Sequence, residues 1–370
     1  MKFSLPKSRL ASSLQSILQV VPSKSTLPIL TNILIEALEN KLKVSATDLD
    51  ISITATMECA VTKKGSAVLP ARILFEIIKE LPESEITIEA INSRIEIKIP
   101  NGSYKIASIS AEDFPKLPAV NNKKEIPVPA KDLVHMIRKT SFACSTDETR
   151  PALNGVLWQT KGERMQMAAT DGHRLARISS DNTKLKGMSQ DVIIPPKVLN
   201  LIPKFAESGV TEVGIIFGEN NIIFTVGDTV LTSRLIEGPY PNFEQVIPSH
   251  NDKKLSVNKE ELAGAVRRVS ILSNTLTHQV KFSLKKNSLS LSTSNADVGG
   301  EGRETLECDY SGEAIEIGYN ATYITEILSK LDGSDAIFEL SSAVAAGIIY
   351  SPAVPKEDYL CLVMPLRLAD

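Results

Sequence analysis

The sequence predicts an α+β fold built from three similar domains, because two unrelated markers recur in phase along the chain. A polar turn between strand-like runs occurs at residues 47–50 (TDLD), 170–173 (TDGH) and 294–297 (SNAD). A second marker opens an apolar helical run at residues 69–72 (LPAR), 194–197 (IPPK) and 319–322 (YNAT). Both markers repeat with a step of roughly 125 residues, which indicates a triplicated domain rather than one large core.

Each copy shows the same order of predicted elements. A short strand (1–5, 125–128 and 254–257) leads into a helix that begins near Lys7, Lys131 or Lys259. Runs of period-two alternation follow at 41–45, 164–168 and 288–292, and a second helix is predicted over 71–81, 197–206 and 321–331. Such alternation is typical of antiparallel sheets with one buried face, which two helices can cover.

Polar linkers set the expected domain boundaries. Residues 118–124 and 248–253 are rich in Pro, Asn and Lys, as segments between domains often are. We therefore expect domains at 1–124, 125–249 and 250–370. A chain of 370 residues is long enough for three cores of ordinary size.

Composition places the chain among soluble globular proteins, with 42% hydrophobic and 23% charged residues. The N-terminal segment, with Lys2 and Lys7 before apolar residues, resembles a signal peptide only superficially, because polar residues interrupt its apolar stretch. No apolar run in the sequence is long enough to span a bilayer. The four cysteines are far apart and form no CxxC pair. Buried free thiols in a reducing cytoplasm are therefore expected, rather than a zinc site or a disulfide framework.

The charge pattern leaves two interpretations open. The net charge is −3, yet basic residues outnumber acidic ones on the predicted helices, where Arg72, Lys79 and Lys197 lie. A nucleic-acid contact is one interpretation of this distribution. Ordinary solvated helix faces with paired charges are the other, and charge alone favours it.

Known catalytic and cofactor patterns do not match this sequence. There is no phosphate-binding GxxxxGK[ST] loop, and residues 299–302 (GGEG) lack the spacing of a dinucleotide site. Asp171 and His173 could be an acid–base pair, but no nucleophile motif accompanies them and the other two copies have no His at that turn. We therefore predict a protein with no catalytic residue, no metal and no cofactor.

Five segments together resemble one family. They are residues 26–30 (TLPIL), 111–115 (AEDFP), 153–155 (LNG), 170–176 (TDGHRLA) and 363–368 (VMPLRL). In this order they are similar to the bacterial DNA polymerase III β subunit, the sliding-clamp family, over essentially the whole chain. The resemblance implies three domains of the DNA-clamp fold in each subunit, and a head-to-tail homodimeric ring with helices inside and antiparallel sheets outside.

The resemblance also implies a function and a set of partners. Duplex DNA would pass through the ring without sequence-specific contacts, and the protein would act in the cytoplasm in association with the nucleoid. The DNA polymerase III α subunit, the clamp loader δ subunit, and other polymerases and repair proteins would bind through short peptides. No membrane partner is expected.

A partner-peptide pocket is implied between the second and third copies. Core packing is the alternative role for Leu362, Val363 and Leu366. Gln245 departs from the family, whose best-known members carry Arg there, so peptide preference at that edge is open. The implied pocket residues are Leu153, Thr170, Gly172, His173, Arg174, Leu175, Pro241, Val246, Val344, Leu362, Val363, Met364, Pro365, Leu366, Arg367 and Leu368.

DNA contacts are expected from both the resemblance and the charge pattern. The resemblance places Lys24 and Arg150 in loops that touch DNA, although Pro151 and Ala152 stand where related clamps can have tyrosines. The helix residues Arg72, Lys79 and Lys197 are the further DNA-binding candidates.

The subunit contact is expected to join the first copy of one chain to the third copy of the other. Tyr104 and Ile106 would meet Ile271 and Leu272 of the second subunit. Pairing of edge strands at this contact would also protect two aggregation-prone edges.

Two classes of function remain open on the sequence alone. The first is a non-catalytic clamp that encircles DNA, and the second is an enzyme or a monomeric interaction scaffold built from the same repeats. The mass in solution separates them, because a clamp must have about twice the mass of the chain.

Overall fold

The computed structural model describes residues 1–118, 125–181, 188–206, 209–295 and 299–368. Most of the predicted linker at 118–124 lies outside these ranges, as do Ala296 and Asp297 of the third polar turn. Each third of the chain contains helices and antiparallel strands in the predicted order.

The described part of the first third contains the α-helices α1 (Lys7–Ile17) and α2 (Ala71–Glu80). Its strands are β1 (Lys2–Pro6), β2 (Asn32–Ala37), β3 (Lys41–Thr47), β4 (Ile51–Glu58), β5 (Ala60–Lys63), β6 (Gly65–Pro70), β7 (Glu85–Ile91), β8 (Arg94–Ile99) and β9 (Gly102–Ala107).

The central third contains α3 (Ala130–Thr140), α4 (Pro196–Leu199) and α5 (Ile202–Ala206). Its strands are β10 (Ile126–Pro129), β11 (Val156–Gly162), β12 (Arg164–Thr170), β13 (Arg174–Asp181), β14 (Met188–Ile194), β15 (Glu212–Phe217), β16 (Asn221–Val226) and β17 (Thr229–Arg234).

The last third contains α6 (Lys259–Ser270) and α7 (Ala321–Lys330). Its strands are β18 (Lys253–Asn258), β19 (Gln279–Lys285), β20 (Ser288–Asn295), β21 (Gly300–Glu307), β22 (Asp309–Tyr310), β23 (Ile315–Asn320), β24 (Asp335–Leu340), β25 (Gly347–Tyr350) and β26 (Tyr359–Val363).

One predicted helix is wrong in detail. The sequence pattern predicted a continuous helix over 197–206, whereas the chain forms α4 and then α5, with a tight turn in which the Leu201 amide donates to the Val198 carbonyl. Pro203 explains the break, because proline cannot donate the helical hydrogen bond and its ring disturbs the preceding turn. Proline is tolerated in the first turn of α5, where no such donor is required.

The polar turn repeats in atomic detail, which confirms the internal repeat. Thr47 Oγ1 accepts the Leu49 amide at 3.0 Å, and Asp48 Oδ1 accepts the Ile51 amide at 2.7 Å. In the central copy Thr170 Oγ1 accepts the Gly172 amide at 3.1 Å, and Asp171 Oδ1 accepts the Arg174 amide at 2.9 Å. The third residue has a positive φ in both copies, 81° at Leu49 and 91° at Gly172. Side-chain capping by Thr and Asp therefore fixes the same turn twice.

The chain divides into two compact units. The first unit comprises Met1–Val134 and Lys197–Leu235. It contains a five-stranded sheet, ordered β5-β1-β7-β8-β9, and an eight-stranded sheet, ordered β10-β15-β16-β17-β4-β3-β2-β6. The pairing of β17 with β4 joins strands of the central and first thirds into one antiparallel sheet.

The second unit comprises His135–Pro196 and Ile236–Asp370. Its nine-stranded sheet is ordered β14-β11-β12-β13-β26-β25-β24-β18-β22, and a four-stranded sheet is ordered β21-β20-β19-β23. The antiparallel pairing of β13 with β26 sets Arg174 opposite Val363 and Leu175 opposite Leu362. This pairing brings the central turn beside the C-terminal segment, where the candidate site lies.

Helices in both units bury one apolar stripe. In the first unit α1 buries Leu10, Leu14 and Ile17, the i, i+4, i+7 spacing of an amphipathic helix. In the second unit α6 and α7 pack on each other. Asn258 and Asn320 cap these two helices by accepting backbone amides of their first turns.

Candidate functional site

The candidate pocket is built on an apolar cluster on one face of the nine-stranded sheet, which we call the pocket floor. The floor residues come from strands, from the segment after β17 and from the loop before β25. Four partly buried residues pack against them: Ala152, Ile236, Tyr240 and Ile247. The floor comprises Leu157, Ala168, Leu175, Ile193, Phe243, Ala346 and Leu362.

Four apolar residues of the predicted pocket are buried, as is the charged Arg174. The apolar four are Leu153, Leu175, Leu362 and Val363, and each has at most 7% of its surface exposed. Leu175 and Leu362 belong to the floor itself, and they pair across β13 and β26. Leu175 and Leu362 therefore form part of the base of the candidate site. Val363 is fully buried, so its role is core packing.

Four exposed residues lie within two positions of residues that form the floor or pack on it, and we call these four the pocket rim: His173, Val246, Val344 and Met364. Val246 is 56% exposed and Val344 is 70% exposed, both high for apolar side chains. The Met364 amide donates to the His173 carbonyl at 2.7 Å, which holds the C-terminal segment against the central turn. Val246 precedes Ile247 and Val344 lies two residues before Ala346, so both are attached to residues that pack on or form the floor. Exposed apolar side chains beside a buried apolar floor are typical of an interaction site.

The turn at Gly172 brings backbone close to a side chain. A Cβ at this position would lie 2.9 Å from Nη1 of Arg150, and the φ of 91° also favours glycine. Arg150 is itself held by Asp147, whose Oδ2 accepts its Nε at 3.0 Å. The predicted DNA-contact residue Arg150 thus lies against the turn that forms one wall of the candidate pocket.

Arg174 is 8% exposed, and its guanidinium is fully engaged inside the protein. Its Nε donates to Asp171 at 3.1 Å, its Nη2 donates to the Phe142 carbonyl at 2.8 Å, and its Nη1 pairs with Glu326. The guanidinium also stacks on the Tyr323 ring, 4.5 Å from the centroid. Arg174 therefore anchors the turn to α7 rather than offering free donors to a ligand.

Sequence reasoning missed Glu326, Tyr323 and Tyr240. The first two contact Arg174 from far along the chain, and no local pattern signals such a pairing. Tyr240 accepts the Thr170 amide through its hydroxyl at 3.0 Å, and burial raises the pKa of this phenol. The local sequence signal for this residue is its position between Pro239 and Pro241, since two prolines restrict the backbone around Tyr240.

The prediction that the apolar C-terminal segment docks is confirmed. Strand β26 ends at Val363, before Pro365, and Leu366 then donates its amide to the Gly318 carbonyl at 2.8 Å. The Arg367 carbonyl accepts Nε2 of Gln279 at 3.0 Å. Pro365, Leu366 and Leu368 are half-buried, whereas Arg367 is exposed. The segment is therefore held at the sheet edge by its backbone.

The DNA-binding candidates fall into two groups. In the first unit Lys24, Arg72 and Lys79 are exposed and make no hydrogen bond or ion pair with another described residue. Lys197 pairs with Asp48 of the first polar turn, and in the second unit Arg150 pairs with Asp147. The first group is available to an external anion, while the second must exchange an internal partner.

Each unit carries one exposed and one half-buried dimer candidate. In the first unit Tyr104 and Ile106 lie on β9, the edge strand of the five-stranded sheet, and Tyr104 is exposed. In the second unit Ile271 and Leu272 follow α6, and Ile271 is 78% exposed. Strand β21 is an edge of the four-stranded sheet in that unit. Each unit thus carries exposed apolar side chains and an unpaired strand edge.

Asp171 and His173 are not arranged as an acid–base pair. The Asp171 carboxylate accepts the amides of His173 and Arg174 and pairs with the Arg174 guanidinium, so it is occupied by the turn. Among the described residues, no group of three or more His, Cys, Asp or Glu side chains could hold a metal ion. Within the same ranges, each helix is too short or too polar to cross a bilayer.

Family models match the chain in three consecutive pieces. The DNA polymerase III β subunit N-terminal domain matches residues 1–118, the central domain matches 127–242 and the C-terminal domain matches 244–367. The three matches follow the internal repeat, and their order is that of the family.

Curated relatives and solved structures agree with the family models. The chain is 33% identical to the β sliding clamp of Chlamydia pneumoniae and 31% identical to that of Escherichia coli K12, with full coverage of both chains. It also matches the crystal structure of a DnaN sliding clamp from Bartonella birtlesii bound to griselimycin (33% identity, TM-score 0.94) and that of the Bacillus subtilis clamp (31%, 0.94), again over both full chains.

The internal features of the chain and its comparisons with known proteins are independent kinds of evidence. The repeated turn and the order of strands come from this chain alone, while the identities and TM-scores come from comparison over its whole length. From both it follows that the chain belongs to the DNA polymerase III β subunit family, the sliding clamps.

Proposed function

We propose that two copies of this chain form a ring around duplex DNA and tether the replicative polymerase, the clamp loader and other DNA-processing proteins through the pocket described above. Sliding clamps are non-catalytic processivity subunits of DNA polymerase III, which supports this role and removes the enzyme alternative. The reducing cytoplasm, at the nucleoid, is the compartment we propose for this work.

The observation that carries the pocket proposal is a set of exposed rim residues attached to a buried apolar floor. Partner peptides that insert an aromatic or leucine side chain would cover Val246, Val344 and Met364 and rest on Leu175 and Leu362. Burial of a few such anchors supplies most of the affinity in interfaces of this kind.

A rim substitution tests the pocket. Val344→Asp should weaken binding of a fluorescent polymerase-derived peptide at least about tenfold, since it places a charge where the anchor packs. Because Val344 is 70% exposed, the fold should be unaffected. Ile91→Asp, which changes a similarly apolar exposed side chain of the first unit, is the matched control and should bind normally. If anisotropy titrations gave the same peptide affinity for both variants, the peptide would not bind at this surface.

DNA is proposed to be held by closure of the ring, assisted by weak phosphate contacts. Lys24, Arg72 and Lys79 offer unpaired positive charge, and Arg150 and Lys197 add charge once they exchange their internal partners. The net charge of −3 argues against tight binding by phosphate neutralisation alone. Protein loaded on nicked circular DNA should remain bound until the DNA is linearised, then leave from the ends; retention on linear DNA would contradict encirclement.

The ring requires a subunit contact, which we propose at the two strand edges. Tyr104 and Ile106 on β9 of one subunit would meet Ile271 and Leu272 of the other, and β21 is the edge strand next to that site. Pairing would satisfy backbone groups that are otherwise open to other strands. A monomeric scaffold is the remaining alternative, and the mass in solution separates the two.

A further inference from the structure

A second cleft adjoins the candidate pocket in the second unit, and we call it the side cleft. Its volume is about 480 Å³. Tyr240 and Pro241 line it, and Pro241 is also one of the predicted pocket residues. Its base is formed by Leu157, Ile193 and Phe243, which belong to the pocket floor. The side cleft and the pocket therefore share one apolar base and one wall.

The side cleft has an acidic edge. Asp191 and Glu244 are the charged side chains among the described residues that line it, and both are exposed. The Asp191 carboxylate accepts Nε2 of Gln159 at 3.2 Å and has no cationic partner among the described residues. The Glu244 carboxylate makes no hydrogen bond or ion pair there, although the more distant Arg177 lies within electrostatic range. At least one full negative charge thus remains available at this edge.

We propose that the side cleft binds the side chain of a lysine or arginine that flanks the apolar anchor of a partner peptide. This inference rests on the peptide function proposed above. The aliphatic stem of such a residue can lie on Leu157, Ile193 and Phe243, while its cation reaches the carboxylates at the edge. The same geometry suits neither an acidic side chain, which the carboxylates repel, nor a short apolar one, which cannot reach across the cleft.

The position of Gln245 supports the same chemistry. This residue follows Glu244 in the turn that ends at Val246, where the pocket rim begins. A neutral amide at this position adds no positive charge that would compete for Asp191 or Glu244. Specificity at this edge of the pocket therefore depends on the two carboxylates, and they select a basic flank.

A charge scan of the peptide tests the proposal. Starting from a fluorescent polymerase-derived peptide that binds the wild-type dimer, each position next to the apolar anchor is replaced in turn by Lys, Ala and Glu. At one position Lys should bind about threefold to tenfold more tightly than Ala, and Glu more weakly than Ala, as expected for a partly exposed ion pair. This preference should shrink at high salt.

Charge-removing variants locate the effect. Asp191→Asn combined with Glu244→Gln should abolish the preference for Lys while leaving the affinity of the Ala peptide unchanged. Asp309→Asn combined with Glu313→Gln removes two exposed carboxylates elsewhere in the second unit and should leave the preference intact. These substitutions are on the surface and are nearly isosteric, so the fold is preserved.

The outcomes separate this inference from the function on which it rests. If wild-type protein binds none of the peptides, the pocket itself is overturned and the side cleft with it. If the parent peptide binds but Lys, Ala and Glu are equivalent at all flanking positions, the side-cleft proposal alone fails. A Lys preference that survives in the Asp191→Asn, Glu244→Gln protein also overturns it, because the cation would then bind elsewhere.

Discussion

Single side chains hold the candidate pocket in shape by fixing backbone rather than by facing the ligand. Asp171 and Thr170 cap the central turn, Arg174 ties that turn to α7, and the Tyr240 hydroxyl accepts the Thr170 amide. Each of these groups satisfies a polar partner that would otherwise be left open next to an apolar floor. The geometry of the rim therefore depends on residues that a partner peptide need not touch.

Tyr240→Phe isolates one of these contacts. It keeps the ring that packs on the floor but leaves the Thr170 amide without its acceptor, which should lower stability by about 1–2 kcal/mol. The thermal unfolding temperature should fall, and fluorescence anisotropy should show a lower affinity for the peptide. Tyr319→Phe is the matched control, because the Tyr319 hydroxyl is buried and has no hydrogen-bond partner in the described structure. Equal behaviour of the two variants would show that the Tyr240 hydroxyl does not position the turn.

At the scale of elements, the C-terminal segment is a short strand followed by a docked tail. Strand β26 is buried along its length, whereas the residues after it attach through backbone bonds to Gly318 and Gln279. The strand belongs to the sheet, whereas the tail begins with the rim residue Met364. Removing the tail should therefore affect partner binding without disrupting the sheet.

Removal of residues 364–370 should abolish binding of the polymerase and the clamp loader without unfolding the dimer. The truncation ends after Val363, so β26 keeps its pairing with β13 and β25. Loss of the Leu366 and Arg367 contacts should lower the unfolding midpoint by only a few degrees. Removal of residues 369–370 alone is the control. Undiminished peptide binding by a truncated, dimeric protein would contradict the assignment.

Elements with local signals were predictable from the sequence, and pairings between distant segments were not. The period of Leu10, Leu14 and Ile17 predicted α1, and alternation predicted β3, β12 and β20. The pairing of β4 with β17 and of β13 with β26 has no local signal, because strands from different copies of the repeat share the same alternation. The candidate site needs a pairing of this kind, so only the family resemblance could assemble it.

Whole-molecule behaviour depends on the proposed subunit contact. Ile271→Asp should convert the dimer to monomers, because the charge would be buried without a partner in an apolar contact at a cost of several kcal/mol. Sedimentation should then give the mass of a single chain, while peptide binding persists. Val344→Asp is the control with the opposite expected effects, since this variant should remain dimeric but no longer bind the peptide. A stable Ile271→Asp dimer would show that the subunits meet at another surface.

The stability of the whole protein should fall in alkali. Burial raises the pKa of the Cys144 and Cys361 thiols to about 12, above their unfolded values near 8.5. The native state therefore keeps protons that the unfolded state releases, so the stability present at neutral pH is lost as pH rises above about 8.5. Each thiol should contribute a loss of about 2 kcal/mol at pH 10. Urea unfolding of Cys361→Ala at pH 7.5 and 10 should show a smaller decrease than wild type.

The pairing of β13 with β26 also constrains the order in which the chain can fold. Strands β11 to β13 are synthesised long before residues 359–363, yet the nine-stranded sheet is continuous only once β26 lies between β13 and β25. Until residues 359–363 leave the ribosome, β13 therefore has an open edge that other nascent chains can pair with. Closing so large a loop is slow, because its entropy must be lost before the contacts form. We expect this sheet to be completed last, and chains interrupted before Tyr359 to aggregate.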